Sequence, residues 1–318
     1  MRRTCLDEVF ELARKDERVF FVGSDLGAGT LNKFKAEMPD RFFMEGICEG
    51  NIIGMAAGLA LDGKIVYVNT IATFLTRRAY EQVVLDLCLH QAQVRLIGNG
   101  GGMVYAPLGP THMAIEDMAI MRALPHMTVA APADAHEMKQ LMPLTLDHPG
   151  PMYIRVAKGF DPIVTEGGPE FEIGRAKTMR HGDDALIVTT GVGLQVALNA
   201  ADDLTEFGLE AAVLHCPTVK PLDVESLVRL AERPPVIVSL EEHTVIGGLG
   251  SAVAEVLAES DFDSVKRFRR LGLPDTFPDQ YGSQAGLMDR YGLNREGVRD
   301  TVLELAGLRL SAAGARAV

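Results

Sequence analysis

Short apolar runs recur along the chain and alternate with longer helical stretches, and this alternation limits the folds open to it. "VFFVG" (19–23), "MTVAAP" (127–132) and "PMYIRVAK" (151–158) are too short for buried helices. They are also too apolar on both faces to be strands with one side in water. Strands of this kind belong in a parallel sheet covered by helices on both sides. "KIVYVN" (64–69) and "VRLIGNG" (94–100) read the same way. Between them fall the helices "GNIIGMAAGLAL" (50–61) and "RRAYEQVVLDLCLHQ" (77–91). "AIEDMAIMRALP" is a helix stopped by Pro125, and "DAHEMKQLMPLTLDH" is one begun by Asp134 as cap.

The stretch 159–174 is rich in Gly, Pro and acid and breaks the pattern. Alternation then resumes with the strands "DALIVTTG", "EAAVLHC", "PPVIVSLEEH" and "VKRFRRLGL" and the helices between them. At 318 residues the chain is too long for one ordinary core. It fits two domains of roughly 150 residues. The reading is α/β: a first domain over 1–160, a linker over 161–174 and a second domain over 175–318. Each domain is expected to be a mainly parallel sheet with helices on both faces. The end, "LSAAGARAV", has no periodic apolar face and is expected to fray.

Composition removes several function classes. Net charge is −12, which gives no basic footprint for nucleic acid and opposes an anionic membrane surface. The nearest approach to a membrane span, "IIGMAAGLAL", is too short. The N-terminal residues lack the apolar core of a secretory signal. The four cysteines form no C-x-x-C pair and have no zinc spacing, so no metal site is expected. Together these features predict a cytoplasmic protein.

A few residues stand out as chemistry. Glu49 heads the apolar helix, where a carboxylate either caps free N–H groups or sits beside buried surface as a proton donor or acceptor. His112 lies in "GPTHMAIED", just past "GNGGG", and is either a loop residue or a hand toward a substrate. The glycine run is no phosphate P-loop, since it lacks the G-K-[ST] end. Phe74 reads as core. Arg155, at the C-terminal end of a buried strand, is costly unless it meets an anion, which makes it an anion-site candidate. Gly50, Gly54 and Gly58 lie four apart on one helical face and predict a close helix–helix contact, within the chain or with another.

In order, "VGSDL" (22–26), "EGICEGNIIGMAAGLAL" (45–61), "TFLTRRAYEQV" (73–83), "GPTHMAIEDMAIMRALPHMTVAAPADAHE" (109–137) and "EEHTVIGGLGSAVAEVL" (241–257) resemble the C-terminal half of the thiamine diphosphate-dependent transketolase family. The likeness covers nearly the whole chain. It implies a pyrimidine-binding domain followed by a transketolase C-terminal domain. By resemblance, Glu49 hydrogen-bonds the cofactor's aminopyrimidine and Phe74 stacks on it, with Arg77, Tyr80 and Asp25 also on the cofactor side. His112 then contacts substrate oxygen during transfer of a two-carbon ketol unit from a ketose to an aldehyde. Ser24 and Arg155 would contact substrate, Arg155 at a phosphate.

The family's diphosphate-binding segment, Gly-Asp-Gly followed by Asn, is not found in these residues. The diphosphate and Mg2+ are therefore expected on a partner, an N-terminal transketolase subunit, in a heterotetramer that also involves self-association. Two departures bear on substrate. Leu108 stands where the family has an acid before Gly-Pro-Thr-His, and "GNGGGMVYAP" has no counterpart, at Gly100 or nearby, of the family's phosphate-contacting His. "RAYEQ" resembles deoxyxylulose-phosphate synthase more than transketolase. The alternatives are such an enzyme, the beta subunit of a 2-oxo acid dehydrogenase first component, or a non-catalytic partner subunit.

Overall fold

A computed structural model describes residues 1–24, 31–157 and 161–308. Asp25 and the 310–318 tail lie outside the described residues, as does the boundary at 160. Strands β1 (Val19–Gly23), β2 (Phe42–Met44), β3 (Ile65–Ile71), β4 (Val94–Asn99), β5 (Thr128–Ala130) and β6 (Met152–Val156) pair in parallel in the order β5-β6-β4-β3-β1-β2. β3, β4, β5 and β6 are buried on both faces apart from Ile71 at the end of β3, which is why their sequences read as continuous apolar runs.

The second sheet is built from β7 (Lys177–Arg180), β8 (Ala185–Thr189), β9 (Ala211–His215), β11 (Val236–Thr244) and β12 (Arg267–Leu273), in the order β12-β11-β8-β9-β7. It is parallel except for β7, which runs antiparallel to β9. One strand crosses between the halves. β10 (Thr218–Lys220) follows β9 in the chain but joins the first sheet, antiparallel to β5. The two halves are thus sewn together by backbone hydrogen bonds. The segment read as a linker is pinned as well: Val164 N–H and Thr165 N–H both donate to Asp134 Oδ2, at 2.7 and 2.9 Å. Asp134 also caps its own helix by accepting from Glu137 N–H at 2.9 Å, as expected.

Helix α1 (Arg2–Lys15) packs against α6 (Ala135–Leu144), and α2 (Asn32–Glu37) follows β1. Helix α3 (Glu49–Leu61) buries Ile52, Ile53, Ala56 and Ala57 beneath it. Each isoleucine contributes about 2 kcal/mol by leaving water. Its opposite face carries Gly54 and Gly58, both exposed, and half-buried Gly50. Among the described residues, no helix packs closely on Gly54 or Gly58: a Cβ at Gly58 would meet nothing within 4 Å, and one at Gly54 only Asp86 Oδ2 at 3.9 Å. The close contact is therefore not made within the described chain.

The helix after β3 begins earlier than its sequence suggests and is irregular. Phe74–Arg78 and Val83–Leu89 are wound as π-helix, with α4 (Tyr80–Gln82) between them. Such extra-residue turns re-aim side chains and recur at functional sites. Helix α5 (Asp117–Arg122) precedes β5; α7 (Gly193–Thr205), α8 (Val224–Ala231), α9 (Leu249–Glu259), α10 (Gln284–Arg290) and α11 (Arg295–Ala306) lie in the second half. No helix among the described residues is long and apolar enough to cross a membrane.

Candidate active site

The C-terminal edge of the first sheet gathers the residues of interest, as parallel α/β sheets do. Glu49 is the first residue of α3 and its side chain is 1% exposed. An ionised carboxylate so deeply buried needs compensation, which the helix N-terminus and a cation supply. The cation is Arg78, whose Nη1 donates to Glu49 Oε2 at 2.7 Å. Arg78 is itself 48% exposed, so this pair stands at the rim of the site. Its guanidinium also lies over the Phe74 ring, 4.3 Å from the centroid. The other side of the cluster is His112, whose ring meets Phe74 edge-on with centroids 5.4 Å apart. Glu49, Phe74 and His112, far apart in sequence, are thus linked in one chain of contacts: Arg78 joins Glu49 to Phe74, and the Phe74 ring meets His112.

The His112 loop is held from several directions. Its Nδ1 shares a hydrogen bond with Thr111 Oγ1 at 2.8 Å, and its N–H donates to Gly109 O at 3.1 Å. Arg77 pairs with Glu116 and donates to the carbonyls of Met113 at 2.7 Å and Pro110 at 3.4 Å. Tyr80 Oη donates to Ile120 O at 3.0 Å. Both side chains are used to hold the 110–120 segment. Arg78, next to Arg77 in sequence, is the arginine that reaches Glu49, and the sequence reading passed over it.

Arg155 does meet an anion, and that anion is internal. Its Nε and Nη2 donate to the two oxygens of Asp117 at 2.8 and 3.1 Å, and Nη2 also donates to the carbonyls of Ala114 and Glu242. Burial works to lower its pKa, but Asp117 outweighs that and raises it. Tyr153 Oη donates to Asp117 Oδ2 at 2.7 Å, completing a buried group that sequence reasoning missed. Ser24 follows β1; it is buried and its hydroxyl shares a 2.7 Å hydrogen bond with Thr70 Oγ1. Asp25 lies outside the described residues.

The loop glycines explain one departure in the motif. Gly100 has φ +74°, and a Cβ there would run into the Tyr105 ring. The phenol ring thus covers the place where a larger residue would project. Leu108 is exposed.

Fold and site define a two-domain α/β protein with a buried carboxylate, an aromatic ring and a histidine converging at the C-terminal edge of a parallel sheet. Residues 1–160 match the pyrimidine-binding domain of transketolase, and residues 174–298 match the transketolase C-terminal domain. The chain belongs to the transketolase family. It is 37% identical over 305 residues to a subunit of the apulose-4-phosphate transketolase of Phocaeicola vulgatus, covering 95% of this chain and 96% of that protein. It is 37% identical over 294 residues to a 6-deoxy-6-sulfo-D-fructose transketolase subunit of a Clostridium species, covering 92% and 90%. A solved structure described as a split gene transketolase, inactive beta4 tetramer, superposes with a TM-score of 0.86 at 35% identity, covering 96% of this chain and 98% of that one.

Proposed function

We propose that this chain is the pyrimidine-binding subunit of a two-subunit, thiamine diphosphate-dependent transketolase that moves a two-carbon ketol unit from a ketose to an aldehyde. The observation that carries the reading is the cluster of Glu49, Phe74 and His112, with Arg78 set against both Glu49 and the Phe74 ring. The residues fit an aminopyrimidine. A buried carboxylate meets a ring nitrogen, an aromatic face meets a flat heterocycle, and Thr73 Oγ1, beside Phe74 in the chain, is buried with no hydrogen-bond partner among the described residues. Glu49 would hold the ring nitrogen and govern its proton, and Phe74 would take the ring face. When bound, thiamine diphosphate supplies the nucleophilic carbon for attack on the ketose carbonyl. His112, on its pinned loop, donates to or accepts from substrate oxygen as charge changes there. Arg78 has to release or share Glu49 for this to happen.

The diphosphate and Mg2+ are assigned to a partner, and the end-to-end match with a protein described as one transketolase subunit supports that division. Exposed Ile47, Leu61, Leu85 and Leu89 with the bare Gly54/Gly58 face support self-association through α3 and its neighbouring helix, giving a heterotetramer. Sugar substrates follow from the ketol chemistry. With Arg155 held by Asp117 and Tyr105 over Gly100, this reading does not rely on a phosphate contact from either position. The test is reconstitution: this chain, a diphosphate-binding subunit, thiamine diphosphate and Mg2+, assayed for ketol transfer. Pyruvate accepted as donor in place of a ketol would point instead to a deoxyxylulose-phosphate synthase-like or 2-oxo acid reaction. Turnover that survives Glu49→Ala would leave this chain a non-catalytic partner.

A further inference from the structure

The Glu49–Phe74–His112 cluster lies wholly in the first domain, yet the end of β11 in the second grips the loop that carries His112 on both flanks. Gly102 and Ala114 exchange two backbone hydrogen bonds of 2.9 Å, which close the loop 103–113 at its base. On the incoming side, Met103 N–H donates to Glu242 Oε1 at 2.6 Å. On the outgoing side, Thr244 N–H donates to Ile115 O at 2.7 Å, and Ala119 N–H donates to His243 Nε2 at 3.2 Å. Three consecutive residues of one strand therefore hold both legs of the loop. Glu242 is the buried carboxylate of this grip. Its two oxygens accept from Gln284 Nε2 at 3.0 and 2.9 Å, so helix α10 fixes the carboxylate in turn. Gly102 must be glycine here: its φ is +68°, and a Cβ would run into the Glu242 carboxylate.

From this geometry we infer that Glu242 is a positioning residue for His112, the means by which the C-terminal domain sets the catalytic loop. The inference rests on the ketol-transfer reading for its activity assay, though not for its structural one. A carboxylate suits the place because both of its neighbours are donors. A glutamine in its place keeps one acceptor oxygen but turns its NH2 toward the Gln284 amide, which must rotate to present its own oxygen, so a charge-assisted clamp becomes a weaker neutral one. Loss of the clamp lets the base of the loop open and shifts His112 relative to Phe74. A displacement of about 1 Å at a reacting group costs on the order of 100-fold in rate.

The experiment compares the wild-type chain with Glu242→Gln, with Glu242→Gln/Gln284→Glu, and with Gln284→Ala as a milder variant should the first fold poorly. The double variant reverses the donor and acceptor: the introduced amide accepts from Met103 N–H and donates to the carboxylate placed on α10. Hydrogen exchange by mass spectrometry over 103–113 needs neither partner nor cofactor. Turnover uses the reconstituted pair with hydroxypyruvate and glycolaldehyde, which give erythrulose and CO2. The expected result is faster exchange and a kcat lowered about 10- to 100-fold in Glu242→Gln, with KM changed far less, and recovery of both in the double variant. Gln284→Ala should show the same changes in smaller degree. Exchange unchanged in Glu242→Gln, or faster exchange at undiminished kcat, overturns the inference. Absence of turnover by the wild-type pair counts against the proposed function, and exchange alone then decides the clamp.

Discussion

At the scale of single residues, the site is defined by what each charge is paired with. Glu49 and Arg155 are both buried ionisable groups next to an opposite charge, but their partners differ in reach. Asp117 is wholly inside and locks Arg155, whereas Arg78 is half in water and can leave Glu49. Replacing Glu49 by Ala in the reconstituted pair should lower kcat by about 100- to 10,000-fold while circular dichroism stays unchanged, because proton control at the ring nitrogen is lost. Arg78→Met tests the rim. Arg78 is half-exposed but Glu49 is buried, so removing the cation leaves that carboxylate with the helix N-terminus alone and should cost about 1 to 3 kcal/mol in a urea melt. Freed of a competitor for both Glu49 and the Phe74 face, the reconstituted enzyme should bind thiamine diphosphate more tightly. Weaker binding in a titration would mean that Arg78 stays and contacts the cofactor itself.

Among the elements, α3 shows a contradiction that resolves only outside the chain. Glycine in a helix interior costs up to about 1 kcal/mol relative to alanine. Yet no described residue would come within 3.9 Å of a Cβ at Gly54 or Gly58. Gly54→Ala should therefore raise the stability of a dissociated chain by up to that amount. Gly54→Leu should be tolerated by the same fold and should block the apposition of a second helix. Sedimentation of the Gly54→Leu variant should give a smaller species than the wild type at equal concentration. An unchanged sedimentation coefficient would remove α3 from the interface. The π-wound stretch after β3 has a comparable role inside the chain. It sends Arg77 toward Glu116 and Arg78 toward Glu49, so two neighbouring side chains hold the two halves of the site.

On the scale of the whole molecule, the junction between the halves is polar and buried. Asp117→Asn leaves the Arg155 charge without its partner and should destabilise the chain by about 3 kcal/mol or more, read by urea denaturation. Glu242 makes the junction sensitive to pH. Burial pushes its carboxyl up to about 7 from an ordinary 4.5, against Arg155, Met103 N–H and Gln284, which lower it, and with Asp117, which raises it. The folded chain then keeps a proton that the unfolded chain has released. This contribution to stability is complete below about pH 4.5 and is lost as pH rises through 7, a span on the order of 3 kcal/mol. Other groups titrate in the same range, so the quantity to measure is the difference between wild type and Glu242→Gln at pH 5 and at pH 8. Wild-type stability should fall, relative to the variant, as pH rises.

Local patterning was enough to establish the layered α/β architecture, because strands buried on both faces leave no polar positions to disguise them. The Asp134 cap and the Pro125 stop were legible for the same reason: each acts within one turn of its own helix. The motifs around Glu49, Phe74 and His112 were legible as types. What those residues touch was decided by tertiary structure. Neighbours on an α-helix point about 100° apart, and the π-turn shifts that angle further, so only the folded chain distinguishes Arg77 from Arg78. The need of Arg155 for an anion follows from its burial, but the identity of that anion, Asp117, depends on how α5 docks against β6. The crossing of β10 into the first sheet, and the grip of β11 on the His112 loop, join residues far apart along the chain. Such pairings carry no local signature, since each partner alone reads as an ordinary strand end.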